Sequence, residues 1–296
     1  MRIIESIEEM REYSQQCKRD GKTIASVDTD AYLHKGHMSL VVIAKENADV
    51  VVLNAGHSVS YKETTKEEYN EAVFNYKNDT FLKDLELAKS YGVDVYFYPA
   101  MKELYVDELS IPIEMVDKVY NSMRNRDAFQ SEDSYLFNYV LGTYFPIFNV
   151  VTPDISVVGQ KDAYQSFGVK FLIKQLDLPI EVIIAPIIRD SDGLACSSKN
   201  DFLTSSQRQN ATSIYQTLHE ISRWSTYPSV TEIKEHITNR INQANGDIAH
   251  IDICCVETLK ELNSINKKFI IIVNAKFGDV NYLIDNIIID PERIKR

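Results

Sequence analysis

The chain has 296 residues, of which 44% are hydrophobic and 25% charged, so it is long enough for a large core divided between two domains. Its formal net charge of −11 argues against a general nucleic-acid-binding role, because an acidic chain repels phosphate backbones. No apolar run approaches the ~20 residues of a membrane helix, and the four cysteines form no metal-ligand pattern, so we expect a cytoplasmic protein with reduced cysteines and no membrane partner.

Short apolar runs alternate with helical patterns through residues 1–188, as in a parallel sheet whose strands are joined by helices. The predicted strands are Ile24–Val27, Val50–Leu53, Val93–Phe97, Ile155–Val158 and Val182–Ile188. The predicted helices are His34–Asn47, Thr65–Ser90 and Lys161–Leu176. This order predicts a doubly wound α/β domain that binds its ligands at the carboxyl ends of the strands.

The pattern changes near Asp190–Lys199, a stretch with glycine and serine that we interpret as the domain boundary. Beyond it the predicted helices are Thr204–Trp224 and Val230–Gln243, followed by three predicted strands at Ile251–Val256, Phe269–Val273 and Leu283–Ile289. The sequence therefore predicts a smaller α+β domain over residues 189–296.

The most specific local pattern is His34-Lys35-Gly36-His37, which follows a predicted strand and begins a predicted helix. The N-terminus of a helix presents backbone N–H groups and the positive end of the dipole, which suits a phosphate. Gly36 lets a phosphate chain approach the backbone, and the two imidazoles can donate hydrogen bonds as pyrophosphate leaves. Two other interpretations stay open: a capped helix with partly buried histidines, and a zinc site without an obvious third ligand.

A second phosphate-compatible stretch, Gly159-Gln160-Lys161-Asp162, lies between a predicted strand and a predicted helix. Gly159 can admit a nucleotide, Lys161 can neutralise a phosphate, and Asp162 can bind a ribose hydroxyl or cap the helix. Taken alone the pattern is weak, since an ordinary strand–helix turn could have the same residues.

The third stretch is Asp192–Asn200, at the predicted domain boundary. Ser197 and Ser198 offer hydroxyl and backbone donors, and Lys199 offers a cation, which together suit a loop that closes over a triphosphate. A solvated linker is the alternative interpretation.

Several blocks in correct order and spacing resemble the pantothenate synthetase (pantoate–β-alanine ligase) family. They are Tyr32–Val41, Gly92–Asp94, Phe148–Asp154, Gly159–Gln165, Asp192–Asn200, Ala275–Gly278 and Leu283–Ile287. The resemblance runs nearly end to end. It implies a Rossmann-like nucleotidyltransferase domain with a parallel sheet, a smaller C-terminal lid domain and a homodimer.

The resemblance also implies an ATP- and Mg²⁺-dependent ligase acting on a small-molecule acid and an amine through an acyl-adenylate, with no covalent enzyme intermediate. Matching motifs imply contacts with the phosphates for His34, His37, Lys161, Ser197, Ser198 and Lys199. They imply contacts with adenosine for Gly159, Asp162 and the backbone near Ile188, and with the acid for Asn54 and Gln165. Where the family has arginine this chain has Lys199, which keeps the charge and loses the planar fork.

The departures from the family pattern cluster among residues implied to recognise the acid. Asp28-Thr29-Asp30-Ala31 replaces Pro-Thr-Met-Gly, His57 replaces a pantoate-binding glutamine, and Tyr164 replaces another glutamine. The family's Arg-Pro-x-His-Phe element falls on Asp133–Phe137, which has neither Arg nor His, so Arg124 or Arg126 is a candidate substitute.

A carboxylate beside an anionic acid and a triphosphate is unfavourable unless a cation lies there. We therefore hypothesise that the acid carries an amine or several hydroxyls near Asp30 and His57. The alternatives are that Asp28 and Asp30 cap loops or face solvent, and that His57 is a solvent-facing loop residue.

Two other function classes stay open at this point. One is a nucleotidyltransferase that attaches AMP or CMP to a phosphorylated small molecule, which would use the same histidine turn. The other is a non-catalytic nucleotide-binding protein. Product analysis separates the ligase, which yields AMP and an amide, from the nucleotidyltransferase, which yields a stable dinucleotide-like product. Measurable pyrophosphate release would exclude the non-catalytic protein.

Overall fold

The structure is a computed structural model that describes residues 1–30, 32–56, 80–99, 104, 144–278 and 282–292, with the side chain of Asp30 outside the description. Contacts divide these residues into two compact units. The first unit comprises the described residues up to 104 together with 144–159 and 168–185, and the second comprises 160–167, 186–278 and 282–292. The predicted boundary between residues 188 and 189 stays a prediction.

The first unit is built on a parallel sheet, which confirms the predicted fold class. Its strands are β1 (Arg2–Ile4), β2 (Ile24–Asp30), β3 (Val50–Gly56), β4 (Val95–Phe97), β5 (Ile155–Gly159) and β6 (Glu181–Ala185). Within the described residues the sheet has six strands in the order β1-β4-β3-β2-β5-β6, and every pairing is parallel. The predicted strand Val182–Ile188 was too long, because Pro186 has no N–H to continue the ladder.

Four helices with complete described bounds accompany this sheet: α1 (Ile7–Arg19), α2 (Lys35–Asn47), α3 (Phe81–Ser90) and α4 (Ala163–Gln175). Residues 144–151 are helical as well. The predicted helix Thr65–Ser90 is described only from residue 80 onward. Sequence analysis missed β1, which has only three residues, and also the 13-residue helix α1.

Two apolar clusters cover opposite faces of the sheet, since side chains alternate along each strand. Val27 and Leu53 belong to the cluster that includes Met38 and Val41 of α2. Ile24 and Val52 belong to the cluster that includes Met10 and Cys17 of α1. By the same alternation, Ser26, Asp28 and Asn54 lie on the α1 face, where polar groups interrupt the apolar core near the carboxyl ends of β2 and β3.

The second unit has the predicted smaller α+β character. It contains a 3-10 helix (Ser198–Phe202), α5 (Ser205–Ser222) and α6 (Val230–Gln243), then β7 (Asp247–Cys255), β8 (Phe269–Lys276) and β9 (Leu283–Ile289). The strands form an antiparallel sheet in the order β7-β8-β9. Apolar residues of α5, α6 and the three strands share one core.

Local sequence signals explain where α5 and α6 begin. Thr204 accepts a hydrogen bond from the Gln207 N–H, and the Gln207 side chain accepts one from the Thr204 N–H. Ser229 and Glu232 make the same reciprocal pair at α6. Each pair satisfies two of the N–H groups that a helix N-terminus leaves without partners. Among all helices of the described residues, none is long and apolar enough to cross a membrane.

Candidate active site

The two histidines of the predicted phosphate turn stack on each other at the start of α2. Their ring centroids are 3.9 Å apart, with 20° between the ring planes. His34 is the N-cap residue, and its Nδ1 accepts a hydrogen bond from the Gly36 N–H at 3.1 Å. His37 Nδ1 accepts one from the His34 N–H at 3.4 Å. The histidines thus form a capping box of the kind usually made by Ser or Thr with Glu.

This capping arrangement determines which ring nitrogens carry protons. Because both Nδ1 atoms of His34 and His37 accept from backbone N–H groups, each ring must carry its proton on Nε2 when neutral. Both Nε2–H groups are therefore hydrogen-bond donors. The structure shows the capped helix that the sequence left open as an alternative, and each ring has a donor on its other nitrogen.

Asp84 fixes the backbone that leads into the histidine turn, and sequence analysis missed it. This aspartate lies in the first turn of α3 and is only 3% exposed. Its two carboxylate oxygens accept hydrogen bonds from the N–H groups of Tyr32 and Leu33, both at 2.9 Å. Tyr32 has a positive φ of 64°, an unfavourable backbone conformation for a bulky residue. The carboxylate compensates for that strain directly before His34.

Asp28 and Asn54 lie opposite each other at the carboxyl ends of β2 and β3. The Asp28 carboxylate accepts from the Ser26 hydroxyl at 2.9 Å and from Asn54 Nδ2 at a long 3.4 Å. Burial raises the pKa of Asp28 from 3.8 to about 6, although both hydrogen bonds act in the opposite direction. Asn54 is 2% exposed, and its Oδ1 has no hydrogen-bond partner among the described residues.

In the second unit, Asn286 of β9 holds the Gln160–Lys161 backbone. Its Nδ2 donates to the carbonyl oxygens of Gln160 and Lys161, both at 2.9 Å, and its Oδ1 accepts from Gln160 Nε2 at 2.9 Å. The side chain is 1% exposed, so these bonds are shielded from water. Asn286 lies in Leu283–Ile287, one of the blocks that resemble the family, but sequence analysis assigned it no role.

Two arginines fix the turn that precedes Ser197. Arg189 pairs with both oxygens of Asp285, at 2.6 and 2.9 Å, and donates to the Gly193 carbonyl at 3.1 Å. Arg208 bonds to Asp190 at 2.7 Å and Asp192 at 2.8 Å. At Gly193 the backbone has a φ of +92°, and a Cβ there would lie 2.3 Å from the Tyr215 ring, so only glycine fits. The turn is rigidly held rather than a solvated linker.

The two fixed segments of the second unit line one open cleft. Its predicted members are Lys161, Asp162, Ser197 and Lys199. The Ser197 hydroxyl caps the 3-10 helix by accepting from the Lys199 N–H at 3.3 Å, and Lys199 Nζ donates to the Tyr282 carbonyl at 3.2 Å. Cationic and hydroxyl donors on a rigid frame suit an anionic, phosphate-bearing ligand.

Other predicted site residues have different surroundings. Gly159 ends β5, and a Cβ there would only touch Leu40 at 3.8 Å. The Ile188 carbonyl accepts from the Cys196 N–H at 2.9 Å. Tyr164, expected near the acid, donates its hydroxyl proton to Asp252 at 2.5 Å within the second unit.

Other predicted site residues lie outside the cleft lining or outside the residues that the structure describes. Ser198 begins the 3-10 helix outside the cleft lining, and Gln165 lies in the first turn of α4. The predictions that fall outside the described residues concern His57, the side chain of Asp30, Arg124, Arg126 and Asp133–Phe137.

Comparisons with known proteins agree with this fold. The family model described as pantoate-beta-alanine ligase matches residues 2–288. A pantothenate synthetase of Thermotoga petrophila is 34% identical over 98% of this chain and 100% of its own length. The pantothenate synthetase structure from Thermus thermophilus has a TM-score of 0.78 at 24% identity, covering 97% of this chain and 99% of its own.

A further similar structure is the pantoate-beta-alanine ligase of Francisella tularensis, complexed with beta-gamma ATP and beta-alanine. It has a TM-score of 0.69 at 24% identity and covers 99% of this chain and 98% of its own. At 24% identity the two solved structures establish the fold only. The sequence relationship to the family is established by the family-model match and by the 34% identical relative.

Proposed function

The chain belongs to the pantoate-beta-alanine ligase family and is an ATP-dependent, amide-forming ligase of that type, and we propose that it joins a small carboxylic acid to an amine through an acyl-adenylate. The observation that carries the proposal is the family match over residues 2–288. We favour an acid other than pantoate, because the departures from the family pattern cluster among the residues implied to recognise the acid.

The proposed reaction has two balanced steps. A carboxylate oxygen of the acid attacks the α-phosphorus of ATP, and the bond from that phosphorus to the bridging oxygen breaks, so that pyrophosphate leaves with the electron pair. The amine nitrogen then attacks the acyl carbon, the carbon–oxygen bond to AMP breaks, and the nitrogen loses a proton. No side chain forms a bond in either step, so binding, orientation and charge stabilisation carry the catalysis.

We assign the histidine turn to the departing pyrophosphate. The Nε2–H groups of His34 and His37 are donors, and their rings are held by their own helix-capping bonds. Donors held in place before the reaction stabilise developing charge without reorganisation. Gly36, between them, allows close approach of a phosphate chain to the backbone.

We assign the cleft of the second unit to phosphate oxygens as well. Lys161 and Lys199 supply positive charge, and Ser197 keeps its hydroxyl proton to donate because its oxygen is the cap acceptor. Ser198 supplies a further hydroxyl. The bonds of Asn286 to the backbone of Lys161 keep that lysine at the cleft.

The remaining assignments concern adenosine and the acid. The residues proposed to contact adenosine are Gly159, Asp162 and the Ile188 backbone. The residues proposed to contact the acid are Asp30, Asn54, His57, Tyr164 and Gln165. The absence of any Cβ clash at Gly159 supports its role, because the fold itself does not require glycine there.

Mg²⁺ is proposed to enter with ATP. The described residues include no group of three or more His, Cys, Asp or Glu that could hold a metal ion. Mg²⁺ is commonly bound by substrate phosphates, waters and one or two carboxylates rather than by a protein cage, so this residue set is compatible with MgATP. When bound, the ion neutralises phosphate charge.

Pyrophosphate exchange tests the proposal. The enzyme with MgATP and labelled pyrophosphate should form labelled ATP only when a carboxylic acid is present, and addition of an amine should yield AMP and amide in equal amounts. Replacing both His34 and His37 by alanine should lower the exchange rate by about a hundredfold or more, whereas His219→Ala, on α5, should leave it unchanged. A stable product that retains the nucleotide would instead indicate a nucleotidyltransferase.

The predicted homodimer and cytoplasmic location stay predictions. Light scattering of the purified protein would test the first of them directly.

A further inference from the structure

Polar groups cluster on the α1 face of the first unit's sheet, where an apolar core would be expected. Ser26 and Asp28 of β2 and Asn54 of β3 follow Ile24 and Val52, which belong to the apolar cluster of that face. Asp28 is half-buried and Asn54 fully buried. Buried polar groups without a structural partner call for an explanation, because their desolvation is unfavourable.

The cluster has more hydrogen-bond acceptors than donors. The Asp28 carboxylate has the Ser26 hydroxyl at 2.9 Å and the Asn54 amide at 3.4 Å as its donors. Asn54 Oδ1 has no donor among the described residues. Among all residues that the structure describes, no Lys, Arg or His nitrogen lies within 4.0 Å of the Asp28 carboxylate. An additional donor with positive charge would supply the missing hydrogen bond to Asn54 Oδ1 and a cationic partner for the Asp28 carboxylate.

We propose that Asp28 and Asn54 form a subsite for a protonated amino group carried by the acid substrate. An ammonium group has three N–H donors and no acceptor, so it can bond to the Asp28 carboxylate and to Asn54 Oδ1 together. A hydroxyl group could donate to Asn54 Oδ1, but it carries no charge and would leave the Asp28 carboxylate without a positive partner. This subsite rests on the proposed function and specifies its substrate class as an amino acid.

Two further observations support the assignment. Although burial raises the pKa of Asp28 to about 6, the carboxylate is mostly ionised at neutral pH and can attract a cation. Asp28 also stands at one of the positions where the sequence departs from the family pattern, and the departure exchanges an apolar residue for a charge. This change would favour an acid that carries an amino group over an acid that has hydroxyl groups only.

A panel of matched acids tests the subsite on the wild-type chain. Pyrophosphate exchange is measured with alanine against lactate, valine against 2-hydroxyisovalerate, 4-aminobutyrate against 4-hydroxybutyrate, and pantoate. We expect the amino member of at least one pair to exceed its hydroxy partner and pantoate by about tenfold or more in kcat/KM. A higher kcat/KM for pantoate or for the hydroxy members would overturn the subsite while leaving the proposed function intact.

The Asp28→Asn variant then tests the residue itself, because it keeps the shape and removes the charge. The preference for the amino acid should fall about tenfold or more, while Asp247→Asn, an exposed aspartate at the start of β7, should keep it. An unchanged preference in Asp28→Asn would contradict the assignment.

Ligand-induced shifts in melting temperature, measured with the same pairs and without ATP, provide a readout independent of turnover. If no acid supports exchange, the proposed function fails. A stabilisation specific to the amino member, and absent in Asp28→Asn, would still support the subsite in that case, and equal shifts for both members would overturn it.

Discussion

Replacing Asp28 by asparagine should make the protein more stable at alkaline pH, by an amount that depends on pH. The folded environment raises the pKa of this carboxyl from 3.8 to about 6 because burial disfavours the charged form. A group with a raised pKa binds more protons in the folded state than in the unfolded state, so stability falls as pH rises between these two values. Below this pH range Asp28 does not destabilise the folded wild type, and above the range the destabilisation by its ionised carboxylate is complete.

The magnitude follows from the shift. A change of roughly two pKa units corresponds to about 3 kcal/mol of destabilisation at pH 8, of which about 1.5 kcal/mol is present at pH 5. Asparagine does not titrate, so the free energy of unfolding of Asp28→Asn relative to wild type should increase by about 1.5 kcal/mol between pH 5 and pH 8.

Urea unfolding of both proteins at pH 5 and pH 8 measures this difference. Comparing the change between two pH values removes any constant effect of packing asparagine in the site. The Asp247→Asn variant should show the same stability difference from wild type at both pH values. A difference for Asp28→Asn that is also independent of pH would refute the reasoning, because it would mean that the folded site does not disfavour the ionised carboxylate.

Three other substitutions test the frame of the site. Asp84→Asn should lower the free energy of unfolding by about 1.5–3 kcal/mol in urea titrations, because one of two charge-assisted bonds is replaced by a donor facing a donor; unchanged stability would contradict the role given to Asp84. Asn286→Asp should raise the KM for ATP about tenfold and lower the free energy of unfolding by about 2–4 kcal/mol, since a carboxylate would face two buried carbonyl oxygens. An unaltered KM would mean that the Asn286 hydrogen bonds do not position Lys161 for ATP. Gly159→Ala should leave stability equal or raise it by about 0.4–1 kcal/mol, yet raise the KM for ATP in exchange assays, and a normal KM would exclude close approach of the nucleotide at Gly159.

Short-range patterns explain which elements could be predicted. The strands at Ile24 and Val50 and the helix at Val230 were located correctly because alternation and helical spacing are written in neighbouring residues. The Thr204 cap was also visible for this reason. A capped helix was one interpretation of the turn at His34 and His37, but sequence analysis did not predict that the two rings are themselves the caps, because histidine is an unusual capping residue.

By itself, the sequence determined the fold class, the family and the residue types available for chemistry, because these depend on local periodicity and on motif order. Only the tertiary structure decided which residues hold the candidate site residues in place. Asp84 reaches Tyr32 across 52 residues, and Asn286 reaches Gln160 across 126. Such partners are chosen by strand order and packing, which bring distant segments together, and no pattern among neighbouring residues encodes that choice.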